Sequence, residues 1–424
     1  MTARLWSSLL IVLSLDTARE ADWLHVAETL ALKHRHEAAV SIVSAAPGEL
    51  INHLRAYRPR FVAFVMRPEE VGIDAVRALK QTLREVDDDP FEDALWGIVT
   101  GPTAADAQRI ASSQAPCEIT RILATTGVDA ALVPGPVTVL SDANPPGEWW
   151  EKGSDGVRVE HRSSEDLSHV FADAWNRLDP DLLLTSSHAS ERNLEMPFSR
   201  GNIVPRGGRF ATAPRQTLID YATGQAKARC LTCTGEEVDD SRPLAEPVRE
   251  KVWLAAGNCL IANHLDNGDM VMTALGFGKV NQFVGYMTTT WFGEIGWTTW
   301  RYFGDYGLAL NESYYAANQR LLKRLADGAA KDEREHIGLL WDRDATVFYG
   351  DPMHRVRLPA RVRRKASAPG DPPLLILFPE ARPGRRLVSA PDGFDVFVAD
   401  DFAFVLAWPE LPDGDLSGLT FDEE

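Results

Sequence analysis

The sequence predicts an α/β fold, with mainly parallel sheets covered by helices, built in two blocks and closed by a small β-rich module. Three observations predict it. Short runs that are apolar throughout alternate with stretches whose apolar residues recur at helical spacing, and a strand apolar on both faces is one buried on both faces. The alternation falls into two blocks separated by an aperiodic stretch, residues 144–156, rich in Pro, Gly, Glu and Trp. Beyond a basic, Pro- and Gly-containing segment at 361–373 only short alternating segments remain. The expected units are an N-terminal α/β subdomain over 1–145, a catalytic α/β subdomain over 157–355 and a β-rich module over 366–424.

In order along the chain, residues 8–14 form the first apolar run, followed by Trp23, Val26, Ala27 and Leu30 on one helical face. Residues 61–65 form a second run, followed by Val76, Leu79 and Leu83. Residues 95–100 form a third, followed by Ala107, Ile110 and Ala111. The second block opens with an apolar helical stripe through Leu167, Val170, Phe171, Ala174 and Leu178 that leads straight into a strand at 182–185. Further strands are expected at 252–256, 283–289 and 346–349, with a long helix over 312–325. Strands around 374–378, 394–398 and 402–408 make up the terminal module.

Composition excludes whole classes of function. Of 424 residues, 45% are hydrophobic and 25% charged, with 12 Trp, which is the balance of a chain that folds on a sizeable core and not of a disordered one. The 44 Lys and Arg against 61 Asp and Glu leave a net charge of −17, which repels phosphate backbones and anionic lipid. Neither nucleic acid nor a membrane is an expected partner. The longest apolar run, residues 5–15, falls short of the roughly 18 residues a membrane span needs. It reads as a buried first strand in preference to a signal-peptide core, because only Arg4 precedes it and Asp16-Thr17-Ala18 makes a poor cleavage site. Four cysteines, Cys117, Cys230, Cys233 and Cys259, are too few for a disulfide framework and suit a reducing compartment. The expected location is cytoplasmic, with secretion as the alternative.

In parallel sheets, ligands gather outside the carboxyl ends of the strands, so the residues just after each apolar run carry the information. Two such ends stand out. The strand at 182–185 breaks into Ser186-Ser187-His188-Ala189-Ser190, and the strand at 252–256 breaks into Gly257-Asn258-Cys259. Thiol catalysis needs an imidazole to handle the thiol proton, a thiolate to attack a carbonyl, and backbone N–H groups at small residues to hold the oxyanion. Taken singly, a strand-end Cys is commonly a small buried hydrophobe and a strand-end His an ordinary hydrogen-bonded residue. The pairing of the two ends singles them out.

The order of these blocks, with a further strand leading into an aromatic loop, resembles the caspase-like cysteine peptidases, and most of all their gingipain-type branch. The residues that carry the likeness are 278–288 (Gly-Lys-Val-Asn-Gln-Phe-Val-Gly-Tyr-Met-Thr), similar to the strand after the catalytic cysteine, and Phe348-Tyr349-Gly350-Asp351-Pro352, similar to the close of the peptidase domain. The resemblance implies a cysteine endopeptidase that needs no cofactor and takes a protein or peptide substrate. It implies Cys259 as nucleophile, His188 as general base and acid, and the amides of Ala189 and Cys259 as the oxyanion hole. A glycine commonly follows the histidine in that branch, where this chain has Ala189. Gingipain-like specificity for a basic residue would require an acid in the primary pocket. Glu294, beyond the strand after the cysteine, is the first choice, with Asp266 and Asp269 as other acids near the cleft and Trp291 as a wall.

Two other readings stay open. One is a catalytically silent relative of the same fold that serves as a binding or scaffold protein. The other is a metal-dependent hydrolase using His188, His264, Asp266 and Asp269, residue types that suit a divalent cation. The Cys230-Leu231-Thr232-Cys233 pair lacks the second CxxC that would complete a structural zinc site.

Overall fold

The computed structural model describes residues 8–114, 118–162, 166–213, 241–305 and 307–359, and, towards the C-terminus, residues 374–377, 385, 387–389, 395–398, 402–407 and 420–421. Cys117, Cys230, Cys233 and the basic stretch at 361–365 lie outside the described residues.

The first block runs β1 (Ser8–Leu13), α1 (Ala21–His34), β2 (Ala39–Ser44), α2 (Leu50–Tyr57), β3 (Phe61–Val65), α3 (Ile73–Arg84), β4 (Leu95–Val99) and α4 (Ala104–Ser112). The three apolar runs are β1, β3 and β4, and Trp23, Val26, Ala27 and Leu30 form the buried face of α1. Strand β2 is an edge strand with no fully buried residue, so it never acquires the continuous apolar run by which its neighbours are recognised.

The chain continues through β5 (Ile122–Ala124), β6 (Val137–Leu140), β7 (Glu148–Lys152) and β8 (Arg158–Arg162). The stretch expected as a linker between subdomains is therefore largely a β-hairpin. Cross-strand and same-face ring contacts hold it: Trp149 stacks on His161 with centroids 4.0 Å apart, and the Arg158 guanidinium lies 4.5 Å over Trp150. Contacts of this kind leave no hydropathy period.

The second block comprises α5 (Leu167–Leu178), β9 (Leu182–Thr185), a small antiparallel sheet of β10 (Ala189–Ser190), β11 (Asn193–Glu195), β12 (Asn202–Arg206) and β13 (Arg209–Ala213), then β14 (Lys251–Ala255), α6 (Met270–Leu275), β15 (Val280–Tyr286), α7 (Glu294–Gly304), α8 (Leu310–Ala326), α9 (Glu333–Arg343) and β16 (Thr346–Gly350). The aromatic loop expected after β15 ends at residue 293, where α7 begins.

The two blocks share one sheet. Its twelve strands lie in the order β2-β1-β3-β4-β16-β15-β14-β9-β5-β6-β7-β8, and β5 and β6, from before residue 145, sit beside β9 of the second block. Strand β16 is parallel to β4 but antiparallel to β15, so the strands on either side of that junction run in opposite directions. Their carboxyl ends consequently open on opposite edges of the sheet, and β6, β9, β14 and β15 all end on the same one.

Buried polar anchors tie the helices to this sheet. Lys80 of α3, fully buried, donates to Asn318 of α8 at 2.6 Å and lies 3.7 Å from Glu92. The terminal module includes a three-stranded sheet of β17 (Leu374–Leu377), β19 (Asp395–Val398) and β20 (Phe402–Ala407), beside a pair made by β18 (Leu387–Ser389) and β21 (Thr420–Phe421). Phe402 docks it where the two blocks adjoin, edge-on to Phe91 of the first and to Tyr315 of α8 in the second, at 5.4 and 5.8 Å. Full burial of such a ring stabilises by roughly 2–3 kcal/mol. Among the described residues no helix is long and apolar enough to cross a membrane.

Candidate active site

Above β9, β5 and β6 lead away to one side and β14 and β15 to the other, which leaves a crevice at the carboxyl edge. An open cleft of about 730 Å³ occupies it. Its lining comes from Asp142 after β6, from Ser186, Ser187 and His188 after β9, from Gly257 and Cys259 after β14, and from Thr290 to Gly293 after β15. Glu195 and the turn through Phe198 close one side, and Trp297 of α7 another. Residues 188 and 259, distant in sequence, thus meet in one cavity.

The strand ends are locked to each other by a buried polar network. Asn258, fully buried, accepts from the Thr185 hydroxyl at 2.6 Å and donates to the Ser187 carbonyl at 2.8 Å. Thr185 also accepts from the indole of Trp253 at 2.8 Å. At Gly257 a Cβ would come within 2.4 Å of the Ser186 hydroxyl, so any larger residue would force that side chain to turn away. Beyond Cys259 the chain turns sharply, because Leu260 takes a left-handed φ of 59°, at a cost of about 1–2 kcal/mol for a residue with a Cβ. Strain held at such a point accords with a functional elbow.

The thiol of Cys259 is partly exposed, and its sulfur accepts from the Thr290 amide at 3.2 Å. The Cys259 amide itself makes no hydrogen bond among the described residues. Ala189 lies on β10, the edge strand of the small sheet. Because the Glu195 amide bonds the His188 carbonyl at 2.9 Å, antiparallel alternation points the Ala189 N–H away from β11. Ala189 is extended, with no positive φ, so its methyl group costs nothing where the gingipain-type branch has glycine. It adjoins the cleft without lining it.

The hairpin that carries His188 is pinned to the segment that follows Cys259. Glu191 accepts from Asn263 at 2.9 Å through its side chain and from the Met270 amide at 2.8 Å through its carbonyl, and Arg192 grips Asp266 with both guanidinium nitrogens. The segments that carry His188 and Cys259 are therefore joined directly.

The expected pocket acids lie elsewhere. Glu294 is not among the cleft residues; it pairs with Arg320 and with Arg324, the latter at 3.0 Å, and so belongs to the packing of α7 on α8. Asp269 is fully buried as the N-cap of α6, where it accepts from Met272 N and Leu265 N and meets His264 Nδ1 at 2.8 Å. Asp266 is held low in pKa chiefly by its hydrogen bond from Arg192. These internal pairings also leave the residues of the metal reading scattered, and no group of three or more metal-ligating side chains converges among the described residues. Trp291 does line the cleft, stacked on Phe292 with centroids 5.8 Å apart.

The acids that the cleft does contain are Asp142 and Glu195. Glu195 is only 9% exposed, yet its carboxylate makes no hydrogen bond or ion pair among the described residues. A buried, unpaired carboxylate in a cavity is unfavourable unless a cation joins it. Sequence reasoning missed it because Glu195 lies on a three-residue strand with no apolar run to mark it. Compared with known proteins, the chain matches no family model, no curated protein and no solved structure.

Proposed function

We propose that this chain is a cysteine endopeptidase of the caspase-like kind, acting at the carboxyl edge of the β9 to β15 half of the sheet. The observation that carries the reading is the convergence of Cys259 and His188 on one cleft, with the Cys259 amide free of any partner among the described residues.

The chemistry follows from those groups. Cys259 gives its proton to His188, and the sulfur attacks the carbonyl carbon of a peptide bond. The Cys259 amide holds the resulting oxyanion, and the Ala189 amide, on the strand that adjoins the cleft, is the second donor that the resemblance implies. Collapse breaks the C–N bond, the leaving amine takes the proton from His188, and water then cleaves the thioester with His188 as base. The carboxylates of Glu195 and Asp142 favour a substrate with a cationic side chain, and Phe198, Trp291, Phe292 and Trp297 offer apolar walls on either side of it.

Selective labelling by a peptidyl electrophile, read by mass spectrometry of the peptide containing Cys259, is the test. The wild type should label at Cys259 and cleave a peptide library, and Cys259→Ala should do neither while keeping its fold. A wild type that binds peptides without labelling or cleaving them would favour the silent scaffold.

A further inference from the structure

Helix α7 begins without a side-chain cap. Its N-cap is Gly293, and the amides of its first turn would be left without partners by its own sequence. Two residues from other elements supply what is missing. Asp342 of α9, fully buried, faces the Ile295 amide at 3.4 Å, and the Tyr286 hydroxyl of β15 accepts from the Gly296 amide at 3.0 Å and donates to Asp342 at 3.4 Å. The capped turn leans directly on the reactive strand end, since a Cβ on Gly296 would meet the Ala256 carbonyl at 2.1 Å, three residues before Cys259. Just ahead of the turn lie Thr290, whose amide bonds the Cys259 sulfur, and Trp291 and Phe292 of the cleft wall.

We propose that Asp342 is a positioning residue for this site, capping α7 from outside and so fixing the Thr290 to Gly293 wall against Cys259, and that the hold tightens when its carboxyl takes up a proton. The inference rests on reading Cys259 as the reactive residue. A negative charge is favourable at a helix N-terminus, but burial makes this charge costlier in place than in water, and a proton taken up there favours the capped arrangement. Burial raises the Asp342 pKa to about 6, against the opposing hydrogen bonds from the Ile295 and Glu294 amides. The groups that face it are Tyr286 from β15 and Glu294 from α7, and Glu294 is in turn neutralised by Arg320 and Arg324 of α8. Its neighbours on its own helix side, Arg343 and Asp344, pair with each other. No cation pairs with Asp342 among the described residues, so nothing there offsets the burial of its charge, and protonation as the pH falls through 6 relieves that cost.

Hydrogen exchange across residues 288–297, corrected for the intrinsic pH dependence of exchange, tests this on the full chain without requiring catalysis. Between pH 7.5 and 5 the wild type should gain up to roughly tenfold in protection, since a carboxyl whose pKa is raised in the closed state adds stability as the pH falls through that value. Asp342→Asn, which keeps the shape and cannot titrate, should show no such change. The acid limb of kcat/KM should shift in the same variant while thermal unfolding stays cooperative. If Asp342→Asn does not fold, Tyr286→Phe serves instead, with faster exchange at Gly296 at every pH. Equal pH dependence of exchange in wild type and Asp342→Asn, or protection at Gly296 unchanged by Tyr286→Phe, overturns the inference. A wild type without peptidase activity whose exchange behaves as expected overturns only the reading of the reaction.

Discussion

Asn258 donates its side-chain amide to the carbonyl of Ser187 at 2.8 Å, which links the residue before Cys259 to the residue before His188. Removal of the amide by Asn258→Ala leaves the buried Thr185 hydroxyl without its acceptor and the part-buried Ser187 carbonyl without its donor, and each orphaned group costs roughly 1–3 kcal/mol. The expected outcome is a stability loss of about 2–4 kcal/mol in denaturant titrations. Activity should fall further than stability alone accounts for, because the histidine and cysteine lose their common anchor. Wild-type stability together with wild-type kcat/KM would contradict the role given to this bond.

The buried carboxylate of Glu195 makes a prediction about specificity. Glu195→Gln should reduce the ratio of cleavage after Arg or Lys to cleavage after Ala or Leu by about 10- to 100-fold, since a desolvated charge pair is worth a few kcal/mol of discrimination. Competitive cleavage of matched peptides measures it. A ratio that is unchanged in Glu195→Gln and falls in Asp142→Asn would transfer the role to Asp142.

On the opposite edge of the sheet, Asp351 after β16 is fastened to α1 by Lys33 and His34, each at 2.7 Å. Burial opposes the charge of Asp351, but Lys33 and the hydrogen bond from His34 outweigh it and drive its pKa far below the usual carboxylate range. Burial likewise opposes protonation of His34, and Asp351 outweighs it, so that the pKa of His34 lies above 6.5. The signs then set a window. The carboxylate's contribution is present above about pH 4 and is lost as the pH falls through its depressed folded value, while the imidazolium's is complete below about 6.5 and is lost as the pH rises through its raised one. Scanning calorimetry should show the largest deficit of His34→Gln relative to wild type near pH 5, shrinking above pH 7. Asp351→Asn should cost about 3–5 kcal/mol at pH 6, because it takes the buried carboxylate away from both Lys33 and His34, leaving His34 only its bond to the exposed Glu37. A deficit for His34→Gln that grows with pH would refute the assignment.

Much of this architecture is legible in the sequence. Strands β1, β3, β4, β9 and β14 are each buried on both faces, and burial on both faces demands an unbroken apolar run. The small residues that follow β9 and β14 are visible for the same reason: chain that leaves a buried sheet to form a cavity cannot carry bulk. His188 and Cys259 both lie in such stretches.

What the tertiary structure alone decided is how distant segments meet. The hairpin of β7 and β8 is held by ring stacking, and the edge strand β2 is half-exposed, so neither writes a period into the sequence. The union of two blocks in one sheet depends on β16 lying between β4 and β15, a pairing of backbone groups that carries no side-chain signature. The cleft acids show the same division. Any of several carboxylates near Cys259 in sequence was eligible, and only packing determined that Glu294 meets Arg320 and Arg324, that Asp269 caps a helix, and that Glu195 is left facing the cavity alone. A charge acquires its role from the partner that reaches it, and partners are assigned in three dimensions.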